Sequence, residues 1–143
     1  MKITRTASVA WQGGIRDGQG AITTESHALD GYPYGFGSRF EGKAGSNPEE
    51  LVAAAHAGCF TMALSLLLGQ AKLAPEKIET RCAVTLEQLA DGYAITASHL
   101  TVRAAVPGAD AATFLRIARE AEAGCPVSKL LKAEISLDAG LLA

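Results

Sequence analysis

An apolar run over residues 51–68 occupies the middle of this 143-residue chain, and it contains no Asp, Glu, Lys or Arg. A run of that length reaches the lower limit for a membrane-spanning helix. Acidic residues precede it, however, and no cluster of positive charge flanks it, which is unlike the ends of a membrane span. A helix that is apolar all round must then be covered by protein. The sequence therefore predicts a long, central, buried helix in a soluble protein without a membrane segment.

Local signals define where this helix begins and ends. Asn47 is a suitable N-cap, Pro48 fits the first helical position, and Glu50 stands at the capping-box position. We expect the helix to run to about Leu68, with Gly69 as its terminator.

Alternating patterns on both sides of the helix indicate strands, and two further helices follow Asp110 and Pro126. Hairpins grouped apart from helices are typical of an α+β fold, so we expect antiparallel sheets packed around the central helix in one domain, 1–143. The glycine-rich segment 31–46 reads as a loop or short strand. The predicted strands are 3–11, 21–25, 78–87, 93–106 (with a bulge near Ser98) and 134–138.

Composition excludes several classes of protein. Hydrophobic residues make up 48% and charged residues 20%, which argues against disorder. The 13 Lys and Arg are balanced by 15 Asp and Glu and form no basic run, so we expect no nucleic-acid partner. The amino terminus has no signal-peptide pattern, which indicates the reducing cytoplasm and free cysteines.

The three cysteines differ in setting. Cys125 precedes Pro126 and so lies near a helix N-cap, where a thiol pKa is lowered, although a cysteine that merely fills a tight turn fits equally well. Cys59 is in mid-helix, where a reactive thiol needs a cation from outside; His56 shares its helix face, but is more simply a core histidine. Cys82 alternates with charged residues and is interpreted as core.

Metal and hydrolase chemistry find little support. His56 and Cys59 have helical ligand spacing, but His27 and His99 bring no further ligands, and zinc needs three or four. A Cys-His hydrolase needs an orienting third group and an oxyanion hole, and nothing marks either. We expect no metal and no cofactor.

Five segments of the chain are distinctive in combination: PYGF (33–36), RFEG (39–42), NPEEL (47–51), AAHAGCF (54–60) and AGCPVS (123–128). Together they resemble the OsmC/Ohr hydroperoxide-reductase family, and the likeness extends over essentially the whole chain. PYGF, RFEG and the Glu-Glu after Pro48 place it nearer the OsmC branch. The resemblance implies a cytoplasmic, thiol-dependent peroxidase that is an intertwined homodimer and serves in oxidative and osmotic stress defence. It also implies an organic hydroperoxide substrate, hydrogen peroxide being reduced less efficiently, and a dihydrolipoyl or other dithiol reductant.

The same resemblance implies roles for four residues. Cys59 corresponds to the peroxidatic cysteine, Cys125 to the resolving cysteine, and Arg39 and Glu49 to the charged residues of the site. Cys82 has no counterpart and inherits no role. The implied chemistry is coherent, because a sulfenic acid formed on one thiol condenses with a second thiol to a disulfide, which a dithiol then reduces.

Helix geometry adds a hypothesis about Arg39. A guanidinium beside Cys59 would oppose the effect of burial on its pKa, and Glu49 could anchor that guanidinium. Ten residues separate Glu49 from Cys59, however, or about 15 Å of helix axis. We therefore expect a composite site, with Cys59 and Cys125 from one chain and Arg39 and Glu49 from its two-fold partner.

Apolar residues near these motifs suggest a pocket for an alkyl or aryl hydroperoxide. Phe60 and Leu66 fit an ordinary core at least as well. A non-catalytic dimeric carrier of a small lipophilic ligand is the alternative function. The proposed lining is Phe36, Phe40, Phe60, Met62 and Leu66.

Overall fold

The computed structural model describes residues 1–142 and divides the chain into two units, Met1–Leu51 and the residues from Val52 onward. The α+β class is confirmed, with two small sheets and one long helix. The single domain expected over 1–143 stays a prediction.

The first unit contains a three-stranded antiparallel sheet in the order β1 (Ala7–Gln12), β2 (Gln19–Thr24) and β3 (Tyr32–Tyr34). The predicted hairpin is confirmed, although its first strand begins at Ala7 rather than at residue 3. All six residues of β1 are exposed in the single chain, so this edge strand is uncovered.

The glycine-rich segment holds a short helix, α1 (Phe36–Phe40), that the sequence did not predict. The Ser38 hydroxyl accepts the Gly35 N–H at 2.9 Å and donates to the Ser46 carbonyl at 2.7 Å. The rings of Phe36 and Phe40 also pack at a centroid distance of 4.9 Å. These side-chain contacts stabilise a turn that the surrounding glycines do not favour by themselves.

The long helix, α2 (Pro48–Gln70), begins where the sequence predicts. The Asn47 side-chain oxygen accepts the Glu50 N–H at 2.9 Å, and the Asn47 amide donates to the Glu50 carboxylate at 3.4 Å. Gly69 does not end the helix, which continues for one more residue to Gln70.

Only one side of α2 is buried, so the expectation of a helix covered all round is wrong for the single chain. Met62 and Leu66 are 77% and 63% exposed. Within residues 1–142, α2 is the helix whose length and mean hydropathy of 1.9 would allow it to span a membrane, and 22% of that apolar stretch is buried. Its buried side packs into the core of the second unit. The buried residues recur at helical spacing: His56, Phe60, Leu64 and Leu68.

The second unit contains a three-stranded sheet in the order β4 (Lys77–Leu89), β5 (Gly92–Ala105) and β6 (Glu134–Leu141). The β4–β5 hairpin is confirmed, and its bulge lies at Thr96, two residues from the predicted position. β6 pairs parallel with β5, which corrects the expectation of purely antiparallel sheets. Parallel pairing needs a crossover, and the helices between these strands provide it.

Those helices are α3 (Ala111–Gly124) and α4 (Pro126–Leu130). Asp110 caps α3 by accepting the Thr113 N–H at 2.7 Å, as its position predicts. Residues of α2, β5 and α3 form one buried core that also contains Cys125. The turn between α3 and α4 therefore lies in the interior, where it meets α2.

Candidate active site

Folding brings Cys59 and Cys125 together, although they are far apart in the sequence. The Cys59 and Cys125 thiols lie close enough for Cys125 to raise the pKa of the Cys59 thiol, and both are free cysteines. Cys59 lies in the middle of α2 and is half-buried, whereas Cys125 is fully buried. Cys125 ends α3 and caps α4, as the following proline predicts. Two neighbouring thiols can form a disulfide when their Cβ atoms come to about 4 Å from each other.

The surroundings of Cys59 act on its pKa in opposite directions. Burial raises the pKa of the Cys59 thiol, and the hydrogen bond with Cys125 raises it further. The backbone N–H of Val127 donates to the Cys59 sulfur and lowers the pKa. The free amide of α4 therefore favours a thiolate on Cys59, whereas sequence reasoning assigned that benefit to Cys125.

The net pKa of Cys59 is raised above its ordinary value of 9.0. Within the described residues of the second unit, no basic side chain contributes to this shift. Residues 52–142 of one chain thus bring the Cys59 and Cys125 thiols together but keep the Cys59 thiol protonated at neutral pH. A cation from elsewhere is needed to ionise it.

In the first unit, Arg39 and Glu49 form a bidentate ion pair. Arg39 Nη2 donates to Glu49 Oε1 at 2.6 Å, and Nε donates to Oε2 at 3.2 Å. The Glu49 side chain is 13% exposed and that of Arg39 is 34% exposed. Paired donors of this kind fix a guanidinium in one orientation, so the ion pair with Glu49 orients the Arg39 side chain.

Arg39 also borders an aromatic hollow of about 250 Å³ within the first unit. Its guanidinium carbon lies 5.4 Å from the centroid of the Phe40 ring. Of the pocket residues predicted from sequence, Phe36 and Phe40 line this hollow, whereas Phe60 is completely buried in the core of the second unit. The full lining is Trp11, Ile15, Tyr34, Gly35, Phe36, Arg39 and Phe40.

His56 is not the cation that Cys59 needs. It is fully buried, and burial lowers its pKa, so the ring is neutral at pH 7. Nδ1 lies 2.7 Å from the Ser98 hydroxyl and Nε2 lies 2.8 Å from the Ser128 hydroxyl. Both ring nitrogens are therefore hydrogen-bonded, as we expect for a core histidine. Neither nitrogen is left to act as the base of a Cys-His hydrolase.

Sequence reasoning missed three members of this region: Val127, Ser98 and Ser128. Ser98 lies where the alternating pattern of the strand changes phase. A polar residue on the inward face of a strand was the signal that could have identified it. Cys82 Sγ lies 3.2 Å from the Ser98 hydroxyl, so Cys82 adjoins the same polar group. Across residues 1–142, no group of three or more His, Cys, Asp or Glu side chains is arranged to hold a metal ion.

Comparison with known proteins identifies the family. The family model described as OsmC-like protein matches residues 40–139. Peroxiredoxin OsmC of Escherichia coli (strain K12) is 52% identical over 138 residues, which cover 96% of each chain. An organic hydroperoxide resistance protein of Xanthomonas axonopodis pv. citri is 33% identical over 97 residues, 67% of this chain and 66% of that one.

A solved structure with the same fold agrees with these matches. The crystal structure of the organic hydroperoxide resistance protein OhrB of Bacillus subtilis superimposes with a TM-score of 0.70 at 27% identity. That superposition covers 96% of this chain and 98% of the other. From the family model, the sequence relatives and the fold together, this chain belongs to the OsmC family.

Proposed function

We propose that this protein reduces organic hydroperoxides, and hydrogen peroxide less efficiently, through a sulfenic acid on Cys59 and a Cys59–Cys125 disulfide. The family makes the chain a peroxiredoxin-type enzyme with a peroxide-reducing role. The observation that carries the finer proposal is the proximity of the Cys59 and Cys125 thiols in the second unit, where Cys125 is part of the buried core and Cys59 packs against that core.

The proposed cycle has three steps. The Cys59 thiolate attacks the distal oxygen of the hydroperoxide, the O–O bond breaks, and the alkoxide leaves as the alcohol after taking a proton. The Cys125 thiol then attacks the Cys59 sulfenic acid, forming the disulfide and releasing water. A dithiol such as a dihydrolipoyl group finally reduces the disulfide by exchange and becomes a cyclic disulfide itself.

Ionisation of Cys59 is assigned to Arg39 of a second copy of the chain. Ten residues of helix separate Glu49 from Cys59, or about 15 Å along the axis, which is too far for one guanidinium to bind both side chains of a straight helix. The exposed apolar stripe of α2 supports a two-fold dimer, because such a stripe is costly to leave in water. The stripe is formed by Ala54, Ala55, Gly58, Met62 and Leu66.

The aromatic hollow beside Arg39 is the proposed site for the organic part of the substrate. An apolar lining with one cation at its edge suits an alkyl or aryl group that ends in a polar peroxide. We assign the protein to the cytoplasm and to oxidative and osmotic stress defence, where reduced thiols and dithiol reductants are present.

One experiment separates this function from that of a carrier. The fully reduced protein is mixed with one equivalent of cumene hydroperoxide, free thiols are counted, and peptides are mapped without reduction. A peroxidase loses two thiols within seconds and yields a Cys59–Cys125 peptide, with Cys82 still free. Unchanged thiols would refute the proposal and favour a non-catalytic carrier, which the aromatic hollow would also suit. Ester hydrolysis that survives in Cys125→Ser would instead indicate a hydrolase.

A further inference from the structure

A buried polar chain connects the sheet of the second unit to α4. It runs from Ser98 on β5, through the His56 ring on α2, to Ser128 on α4, with hydrogen-bond distances of 2.7 Å and 2.8 Å. Ser98 and His56 are completely buried, and Ser128 is 8% exposed. Buried polar groups are costly unless they are fully paired, and here the pairing joins three separate elements.

The far end of this chain lies in the turn that contacts Cys59. Ser128 is one residue after Val127 and three residues after Cys125, and both of those residues lie close enough to the Cys59 sulfur to affect its pKa. α4 has only five residues, too few to be stable as a helix by itself. Its position therefore depends on its tertiary contacts, and the hydrogen bond from Ser128 to His56 is the buried polar contact among them.

The neutral state of His56 suits this role. A neutral imidazole donates through one nitrogen and accepts through the other, so each serine hydroxyl finds a fixed partner. The ring is held in place by α2, the long helix that carries it, while Ser98 on the central strand of the sheet occupies Nδ1. The other side of the ring then holds Ser128 in place.

We propose that His56, acting through Ser128, is a positioning residue that keeps Cys125 against Cys59 for disulfide formation. This inference rests on the proposed function. The inference goes beyond that function, because it assigns the buried histidine to disulfide formation, the second step of the cycle, and not to the attack on the peroxide. Without the tether, α4 would move away more often, and the Cys59 sulfenic acid would wait longer for Cys125. A waiting sulfenic acid reacts with a second hydroperoxide and becomes sulfinic acid.

The test compares two serine variants that each remove one hydroxyl from the same histidine. Ser128→Ala releases α4, whereas Ser98→Ala is the matched control on the sheet. Each protein, together with the wild type, is treated with increasing cumene hydroperoxide, and mass spectrometry gives the ratio of Cys59 sulfinic acid to Cys59–Cys125 disulfide. This ratio does not depend on how fast the first hydroperoxide reacts.

We expect Ser128→Ala to raise that ratio about tenfold or more, since small losses of alignment slow a positioned reaction strongly. Ser98→Ala should change the ratio by less than about twofold, because the hydrogen bond between Ser128 and His56 remains and α4 keeps its alignment. Ser128→Thr, which keeps the hydroxyl, should restore the wild-type ratio. His56→Gln should shift the ratio in the same direction as Ser128→Ala, and it provides an independent variant should Ser128→Ala fold poorly.

Two results would overturn the inference. The first is an unchanged ratio in Ser128→Ala and His56→Gln while the wild type forms its disulfide normally. The second is an equal increase in Ser128→Ala and Ser98→Ala, which would indicate general loosening of the core. A wild-type protein that forms no Cys59–Cys125 disulfide would instead refute the proposed function, and the inference with it.

Discussion

Replacing Leu66 with alanine should weaken the dimer without unfolding the chain. Leu66 is 63% exposed on the apolar stripe of α2, whereas Leu64, two residues earlier, is completely buried in the core of the chain. The two leucines thus lie on the same helix in opposite environments. If the stripe is the surface that a second copy covers, the substitutions must have different effects.

The expected magnitude follows from the exposed fraction. Burying a whole leucine side chain contributes about 2 kcal/mol, so covering the exposed part of Leu66 contributes about 1 kcal/mol. A two-fold dimer buries the residue twice, which doubles the contribution to about 2 kcal/mol. Leu66→Ala should therefore raise the dimer dissociation constant about 30-fold.

Sedimentation equilibrium over a wide range of protein concentrations measures this constant directly. Leu64→Ala is the control, and it should lower the free energy of unfolding by about 2–5 kcal/mol, because it leaves a cavity in the core. A wild-type protein that stays monomeric at high concentration would refute the reasoning. So would a Leu66→Ala dimer that is as tight as the wild type.

Three further predictions follow from the site. Glu49→Gln should lower the rate of Cys59 oxidation by cumene hydroperoxide in stopped-flow assays, because the Arg39 guanidinium loses its charged anchor, while stability falls by only about 1 kcal/mol. Phe36→Ala should slow oxidation by cumene hydroperoxide about tenfold, but not oxidation by hydrogen peroxide, which has no organic group to bind; equal effects on both would argue against the aromatic hollow as the substrate site. The free energy of unfolding, measured in urea, should fall as the pH drops below about 6.5, since His56 takes up a proton in the unfolded chain near its ordinary pKa of 6.5 but resists it when buried. His56→Gln should remove this part of the pH dependence, and a slope unchanged in that variant would contradict the assignment.

Local signals in the sequence were sufficient for the elements that carry the two cysteines. Asn47 and Pro48 mark the start of α2, and Pro126 places Cys125 at the cap of α4, because capping depends on residues that are neighbours in the chain. The contact between Cys59 and Cys125 could not be predicted from spacing. It exists only once α3 and α4 have packed against α2.

Features that depend on tertiary packing were missed for the same reason. α1 lies among glycines and is stabilised by the bonds of Ser38 and the stacking of two phenylalanines, none of which leaves a periodic pattern. The parallel pairing of β6 is set by the crossover that α3 and α4 make. Ser128 gave no sign of its role, because its partner His56 lies on a distant helix.

Arg39 of one subunit is proposed to ionise Cys59 of the other, and mixing two inactive variants tests this shared site. Cys59→Ser and Arg39→Ala dimers are combined at equal concentration and allowed to exchange subunits, with exchange verified by native mass spectrometry. Each mixed dimer then has one site with both residues intact, so activity should return to about a quarter of the wild-type value. Complete exchange with no recovered peroxidase activity would contradict the shared site.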